Sequence, residues 1–266
     1  MSFVTHTNHD LVWLTSERMS GVRHAFSTRQ GGVSKAPMDS LNLGVDRGDD
    51  RTALLENYRR FCDILSVDPA RTVLSKQVHR TDVRLCTSAD AGKGLLLPRD
   101  YEADALITQE PDLPLAVFSA DCGIILLHDA VHHAAGAIHA GWRGCAAGIL
   151  EKTVLAMHSH FGTEPGDLAA AIGPCIGSCC FETDNDVADA MFSALGDDAA
   201  PYLKHTGVKW HVDLGGLNRL WLVRAGIPEA QIDLCNLCTA CHPELFWSHR
   251  KMGEARGLQS AMIVLD

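Results

Sequence analysis

A thiol and an imidazole stand at the ends of short apolar runs within residues 115–144, LAVFSADCGIILLHDAVHHAAGAIHAGWRG. Apolar stretches of this length, bounded by turn residues, predict buried strands over 115–119, 124–128 and 134–139. Asp121 and Cys122 then fall at the break after the first strand. His139 ends the third, ahead of the glycine-bracketed loop Gly141-Trp142-Arg143-Gly144. His79, in Gln77-Val78-His79, ends another apolar run and could join them. Two histidines and one cysteine are a ligand set for a zinc ion that keeps a fourth position open for water or substrate. The same thiol could instead be an inert core group, or a nucleophile with His139 as its base. Residue types alone leave these readings open.

The elements that must position these groups alternate irregularly. Leu55, Tyr58, Cys62 and Leu65 recur at helical spacing, which predicts a helix over 52–65 capped by Asp49, Asp50 or Thr52. Residues 73–86 read as strand, turn, strand, with Gln77 and His79 at the corner on one face. A helix following Gly144, with Ala146, Ile149, Leu150, Thr153, Val154 and Met157 on its apolar stripe, would begin directly after Arg143. Its unpaired amides would favour an anion there. Further helices are expected over 186–195 and 213–225, and strands over 168–172, 232–234 and 261–265. No regular strand–helix rhythm and no Gly-x-Gly-x-x-Gly turn is present. The expectation is therefore an α+β layered fold with mixed sheets, and not a dinucleotide-binding domain.

Composition narrows the function classes. Hydrophobic residues make up 46% of 266 and the mean hydropathy is +0.01, enough for a sizeable core without membrane burial. No apolar run reaches transmembrane length, and the start lacks a basic segment followed by an apolar block. A formal charge of −10 disfavours nucleic acid and anionic membrane as partners. The ten cysteines are not spread as a disulfide framework, and the expected setting is the cytoplasm. Cys175, Cys179 and Cys180, with Cys238 and Cys241, invite a second zinc; buried reduced thiols are the favoured expectation.

Several blocks resemble the laccase-domain family, whose members have been called multicopper polyphenol oxidases, peptidoglycan editing factors and purine nucleoside phosphorylases with adenosine deaminase activity. They are Ser119-Ala120-Asp121-Cys122, His139-Ala140-Gly141-Trp142-Arg143-Gly144 and Ile172-Gly173-Pro174-Cys175-Ile176. The likeness continues at Ser27–Ser34, Ser40–Gly44, Gly48–Asp50, Gln77–His79, Cys238–Cys241 and Ser248–Arg250, in order along nearly the whole chain. It implies one α/β domain over 1–266 with helices covering the sheets, and a zinc site at His79, Cys122 and His139; Asp121, beside Cys122, could orient a ligand or carry a proton. It also lifts Arg29 and Asn42 as groups near a ligand.

The activity this implies is phosphorolysis of adenosine- and inosine-type nucleosides, with hydrolytic deamination of adenosine. Phosphate would be held by Arg29, Arg143 or Arg250, and the departing base by Gln77 or Asn42, with Trp142 available to stack on a purine. The alternatives are a Cys–His hydrolase in peptidoglycan precursor editing, a noncatalytic zinc-stabilised protein, and a copper-dependent oxidase. Zinc has no redox chemistry, so the last needs copper. Multicopper laccases resemble one another in several His-x-His pairs across three sheet domains; here the one such pair is His158-Ser159-His160. The chain departs from the family pattern at Arg80, Ile124 and Ala255, none a proposed ligand; Ala255 puts the role of Arg256 in doubt.

Overall fold

A computed structural model describes residues 3–266. Strands 115–119 and 168–172 lie where the apolar runs place them, as Leu115–Ser119 and Leu168–Ile172. The other two runs of the central block become the longer Gly123–Asp129 and Ala134–Ala140. Every residue of Leu115–Ser119, Gly123–Asp129 and Ala134–Ala140 is buried, because each strand is covered on both faces.

Two six-stranded sheets stack. The first runs Phe3–Asn8, Leu11–Ser16, Arg23–Ser27, Gln259–Val264, Leu115–Ser119, Val73–Leu74, antiparallel except for its last pair. The second runs Ile232–Leu234, Leu168–Ile172, Gly123–Asp129, Ala134–Ala140, Ala105–Thr108, Val83–Leu85, with parallel pairs at both edges. Both are mixed sheets, as the irregular alternation implies. A small third sheet joins Glu182–Thr183, Lys209–Val212 and Leu203–Thr206; this hairpin has no counterpart in the sequence reading.

Side-chain alternation sorts the layers. Leu115 and Val117 of the first sheet meet Ile124, Leu126, Ala135 and Ala137 of the second. The intervening Ala116 and Phe118 face the helix Arg51–Asp63. On the outer face of the second sheet, Ile125, Leu127 and Ile138 pack on the helices Ile149–Phe161, Asn185–Leu195 and Leu214–Arg224. The order is helix, sheet, sheet, helices. His139 shares its parity with Ala135 and Ala137 and so points between the sheets, at their open end.

The strand, turn, strand expected over 73–86 is present as Val73–Leu74 and Val83–Leu85, and its halves pair in different sheets, so the corner at 77–79 bridges the two layers. One local expectation changes: the helix expected directly after Arg143 is interrupted. A short helix, Trp142–Ala146, ends at Gly148, whose φ of 75° starts the long helix afresh at Ile149. The long helix therefore offers no amides beside Arg143. A Cβ at Gly148 would sit 3.3 Å from the Trp221 ring, so the break also packs tightly on the helix Leu214–Arg224.

Candidate active site

Asp104 closes the loop before strand Ala105–Thr108 and is fully buried. One of its oxygens accepts from His139 Nδ1 at 2.8 Å, and the pair together accept the amides of Val78, His79 and Arg80 at 3.0 Å each. Burial raises this carboxyl, but the His139 bond and those amides outweigh it and hold it below the ordinary range. One side chain thus fixes the ring of His139 and the backbone carrying His79. With Nδ1 engaged, the free nitrogen of His139 is Nε2, the arrangement that orients imidazole ligands.

The ligand atoms of His79, Cys122 and His139 lie within 4.8 Å of one another. Cys122 Sγ is 3.8 Å from His79 Nε2, and the imidazoles meet edge to face with centroids 4.8 Å apart. Burial pushes the Cys122 thiol up, but the charge of His139 and hydrogen bonds from both imidazoles draw it well below its usual value. Burial opposes the charge on His139, and the thiolate and Asp104 raise it nonetheless. A metal ion demands the same thiolate but neutral imidazoles, so binding one here would release the proton of His139. A zinc with bonds of about 2.0–2.3 Å sets its ligand atoms roughly 3.5 Å apart, and this group needs little adjustment to reach that. Gly141 closes the cradle: a Cβ there would lie 2.9 Å from Cys122 Sγ and 3.0 Å from His79 Cδ2.

Two lobes of a cleft meet at this group, sharing His79, Ala120, Cys122 and Arg256. One, of about 380 Å³, is walled by Trp142, Ile176, Phe181 and Leu214, with Asp121, His249 and Arg250 at its rim. The other, of about 290 Å³, is polar and faces His139, Gln77, Ser119, Arg47 and Lys76. A cleft of about 440 Å³ elsewhere, between Leu11 and Ile64, holds no cysteine.

The remaining expected site residues fare differently. Asp121 lines the apolar lobe at φ 93°, a conformation rare for a residue with a Cβ. Its carboxylate accepts from Thr239 Oγ1 at 2.6 Å and from the Arg250 amide at 2.7 Å, so it ties loops together. Gln77 spends both amide atoms on the main chain of Phe118. Asn42 is wholly buried and holds Gly44, Asp49 and the Leu258 amide. Asn42 is thus committed within its own loop, while Gln77 lines the polar lobe and keeps a second Nε2 hydrogen beyond its Phe118 bond.

Of the three arginines expected to take phosphate, none presents a free guanidinium to the cleft. Arg29 stacks on Trp247 and donates to the carbonyls of Pro243 and Asp39, outside both lobes. Arg143 is exposed and lies over the outer face of Trp142. Arg250 reaches the rim but donates to the carbonyls of Cys180 and Glu182. The group sequence reasoning set aside, Arg256, is the one between the lobes with buried Nε and Nη1 atoms lacking any partner among the described residues. Asp104 was also missed; its only sequence signal is a carboxylate directly before the apolar run Ala105-Leu106-Ile107.

Known proteins resemble this chain along nearly its full length. The family model described as multi-copper polyphenol oxidoreductase laccase matches residues 23–266. A protein of Geobacillus stearothermophilus named purine nucleoside phosphorylase YlmD is 35% identical over 250 residues, 92% of this chain and 90% of that one. A purine nucleoside phosphorylase of Bacteroides thetaiotaomicron is 34% identical over 97% of this chain and 96% of its own length. Among solved structures, a Bacillus licheniformis hypothetical protein YfiH superposes with a TM-score of 0.92 at 32% identity, covering 98% of this chain and 99% of that one. YlmD from Geobacillus stearothermophilus superposes with a TM-score of 0.91 at 33% identity, covering 98% of each.

Proposed function

We propose that this chain, which belongs to the multi-copper polyphenol oxidoreductase laccase family, is a purine nucleoside phosphorylase that also deaminates adenosine. The observation that carries the reading is the placing of the His79/Cys122/His139 group where an apolar lobe meets the unpartnered guanidinium atoms of Arg256. Phosphorolysis has two needs, a dry surface for a flat base and an unspent cation for phosphate. Trp142, Phe181 and Ile176 provide the first and Arg256 the second. Phosphate then attacks the anomeric carbon as the glycosidic bond breaks and its electron pair leaves with the base.

His79 Nε2, Cys122 Sγ and His139 Nε2 would hold the metal, which we assign as zinc, with copper the ion an oxidase would require. When bound, it supplies Lewis acidity at a position left open to substrate or water. The chain's own residues do the rest. Asp104 keeps His139 in one tautomer and His79 in place, and the Gly141 loop seals one side. Asp121 anchors the loops bearing Thr239 and Arg250 against the apolar lobe. The partners on this reading are a small nucleoside and inorganic phosphate. No helix among the described residues is long and apolar enough to cross a membrane.

A cysteine hydrolase would draw on the same lowered Cys122 thiol with His139 as base. Incubation of purified protein with adenosine and phosphate decides between these. Adenine, ribose 1-phosphate and inosine are expected, together with their loss in Cys122→Ala and on chelation. Chelator-resistant turnover would favour the hydrolase, and no turnover by wild type would end the nucleoside reading.

A further inference from the structure

Four more thiols converge outside the cleft, where the favoured expectation was a set of unrelated reduced cysteines. Cys241 Sγ lies 3.4 Å from both Cys179 Sγ and Cys180 Sγ, and with Cys238 all four sulfurs fall within 4.8 Å of one another. We propose that Cys179, Cys180, Cys238 and Cys241 form a closed tetrathiolate site for a structural zinc ion, separate from the His79/Cys122/His139 group.

Burial does not explain the gathering. Cys179 and Cys241 are exposed and Cys180 is half-buried, so apolar packing has little reason to collect these groups. The spacing fits a tetrahedral ion: sulfurs bound at about 2.3 Å stand about 3.8 Å apart. Cys238-Thr239-Ala240-Cys241 is a Cys-x-x-Cys pair of the sort closed zinc sites use, and the adjacent Cys179-Cys180 supplies the second pair. Cys175, the partner suggested by spacing alone, is buried and paired through its backbone to Cys238 instead.

The loops are built to present thiolates. The Gly177 amide donates to Cys238 Sγ at 3.2 Å, the backbone support that steadies a ligating sulfur. The turn at Gly177 runs close against the cluster, since a Cβ there would lie 3.4 Å from Cys179 Sγ and 3.3 Å from Cys238 Cβ. Four protein ligands leave no place for substrate, so the ion's work is to join two chain segments. Those segments wall the cleft. Thr239, between two of the ligands, donates to Asp121, and the Cys180 carbonyl receives the Arg250 guanidinium.

The test uses the full chain purified without added metal, with bound zinc counted in wild type, in His139→Ala and in the double variant Cys179→Ser/Cys241→Ser. His139→Ala should retain the tetrathiolate zinc, and the double variant should lose one equivalent per chain. Treating folded His139→Ala with a mercurial should release one zinc per chain as Cys179, Cys180, Cys238 and Cys241 are modified, the modified sites being located by mass spectrometry, a measurement that does not depend on the double variant folding. Cobalt substituted into His139→Ala should show the intense charge-transfer absorption of four thiolates. Equal zinc in wild type and the double variant, no mercurial-releasable zinc, or a disulfide among these residues by mass spectrometry would each overturn the proposal.

Discussion

Cys122 stands between two imidazoles at the meeting of two lobes of a cleft, whereas Cys179, Cys180, Cys238 and Cys241 meet one another in loops beside it. The first group takes its ligands from the ends of sheet strands and a bridging corner, and a buried carboxylate orients them. The second takes its ligands from two chain segments and has only backbone amides for support. The difference teaches how one chain can use sulfur for opposite ends. Three ligands on a rigid frame leave a coordination position to chemistry, and four on pliant loops spend every position on holding the loops.

Gly141→Ala tests the frame most severely. The backbone at φ −65° accepts alanine, so the harm falls on the triad, where the new Cβ would press on Cys122 Sγ and His79. Turnover should fall at least about 100-fold, with one zinc lost and the tetrathiolate zinc kept. Loss of both ions would show that the two groups are not separable. Asp104→Asn comes next: it keeps the shape but offers a donor where amides and His139 need an acceptor. Metal affinity at the triad should drop about 10–100-fold, and denaturant unfolding should show about 1–3 kcal/mol of lost stability. An unchanged affinity would remove the orienting role.

Smaller effects refine the picture. Arg256→Met should raise the KM for phosphate roughly 10-fold while leaving both metals bound, and an unaltered KM would move the anion site elsewhere. Gly148→Ala forces a side chain into a left-handed backbone beside Trp221. It should cost about 1–2 kcal/mol by thermal or chemical unfolding, with no change in either metal count.

Residue types alone left the His79, Cys122 and His139 group open, and the resemblance of the surrounding blocks to a known family singled it out; strand ends place Cys122 and His139, whereas His79 lies in a corner five residues past its strand. The paired sheets were legible in the residues themselves: Ile124–Leu127 is apolar at every position, as a strand covered on both faces must be. The helix after Arg143 was misplaced because Gly148 carries the same apolar neighbours as a continuous helix would. Polar residues were read least well. Asn42 and Arg29 look like ligand contacts until their partners are known, and those partners include main-chain atoms up to 216 residues away. Asp104 shows the converse, since its five hydrogen-bond contacts come from a distant corner and strand that nothing local announces.

The strand Gln259–Val264 sits inside the first sheet, and Ser260 bonds to Val117 and Ser27 across separations of 143 and 233 residues. Until it inserts, Arg23–Ser27 and Leu115–Ser119 are two open edges with nothing between them, surfaces on which nascent chains aggregate. Such long-range closure is slow. Arg256 lies three residues ahead of this strand, so the strand's seat between two others fixes where the guanidinium stands between the lobes.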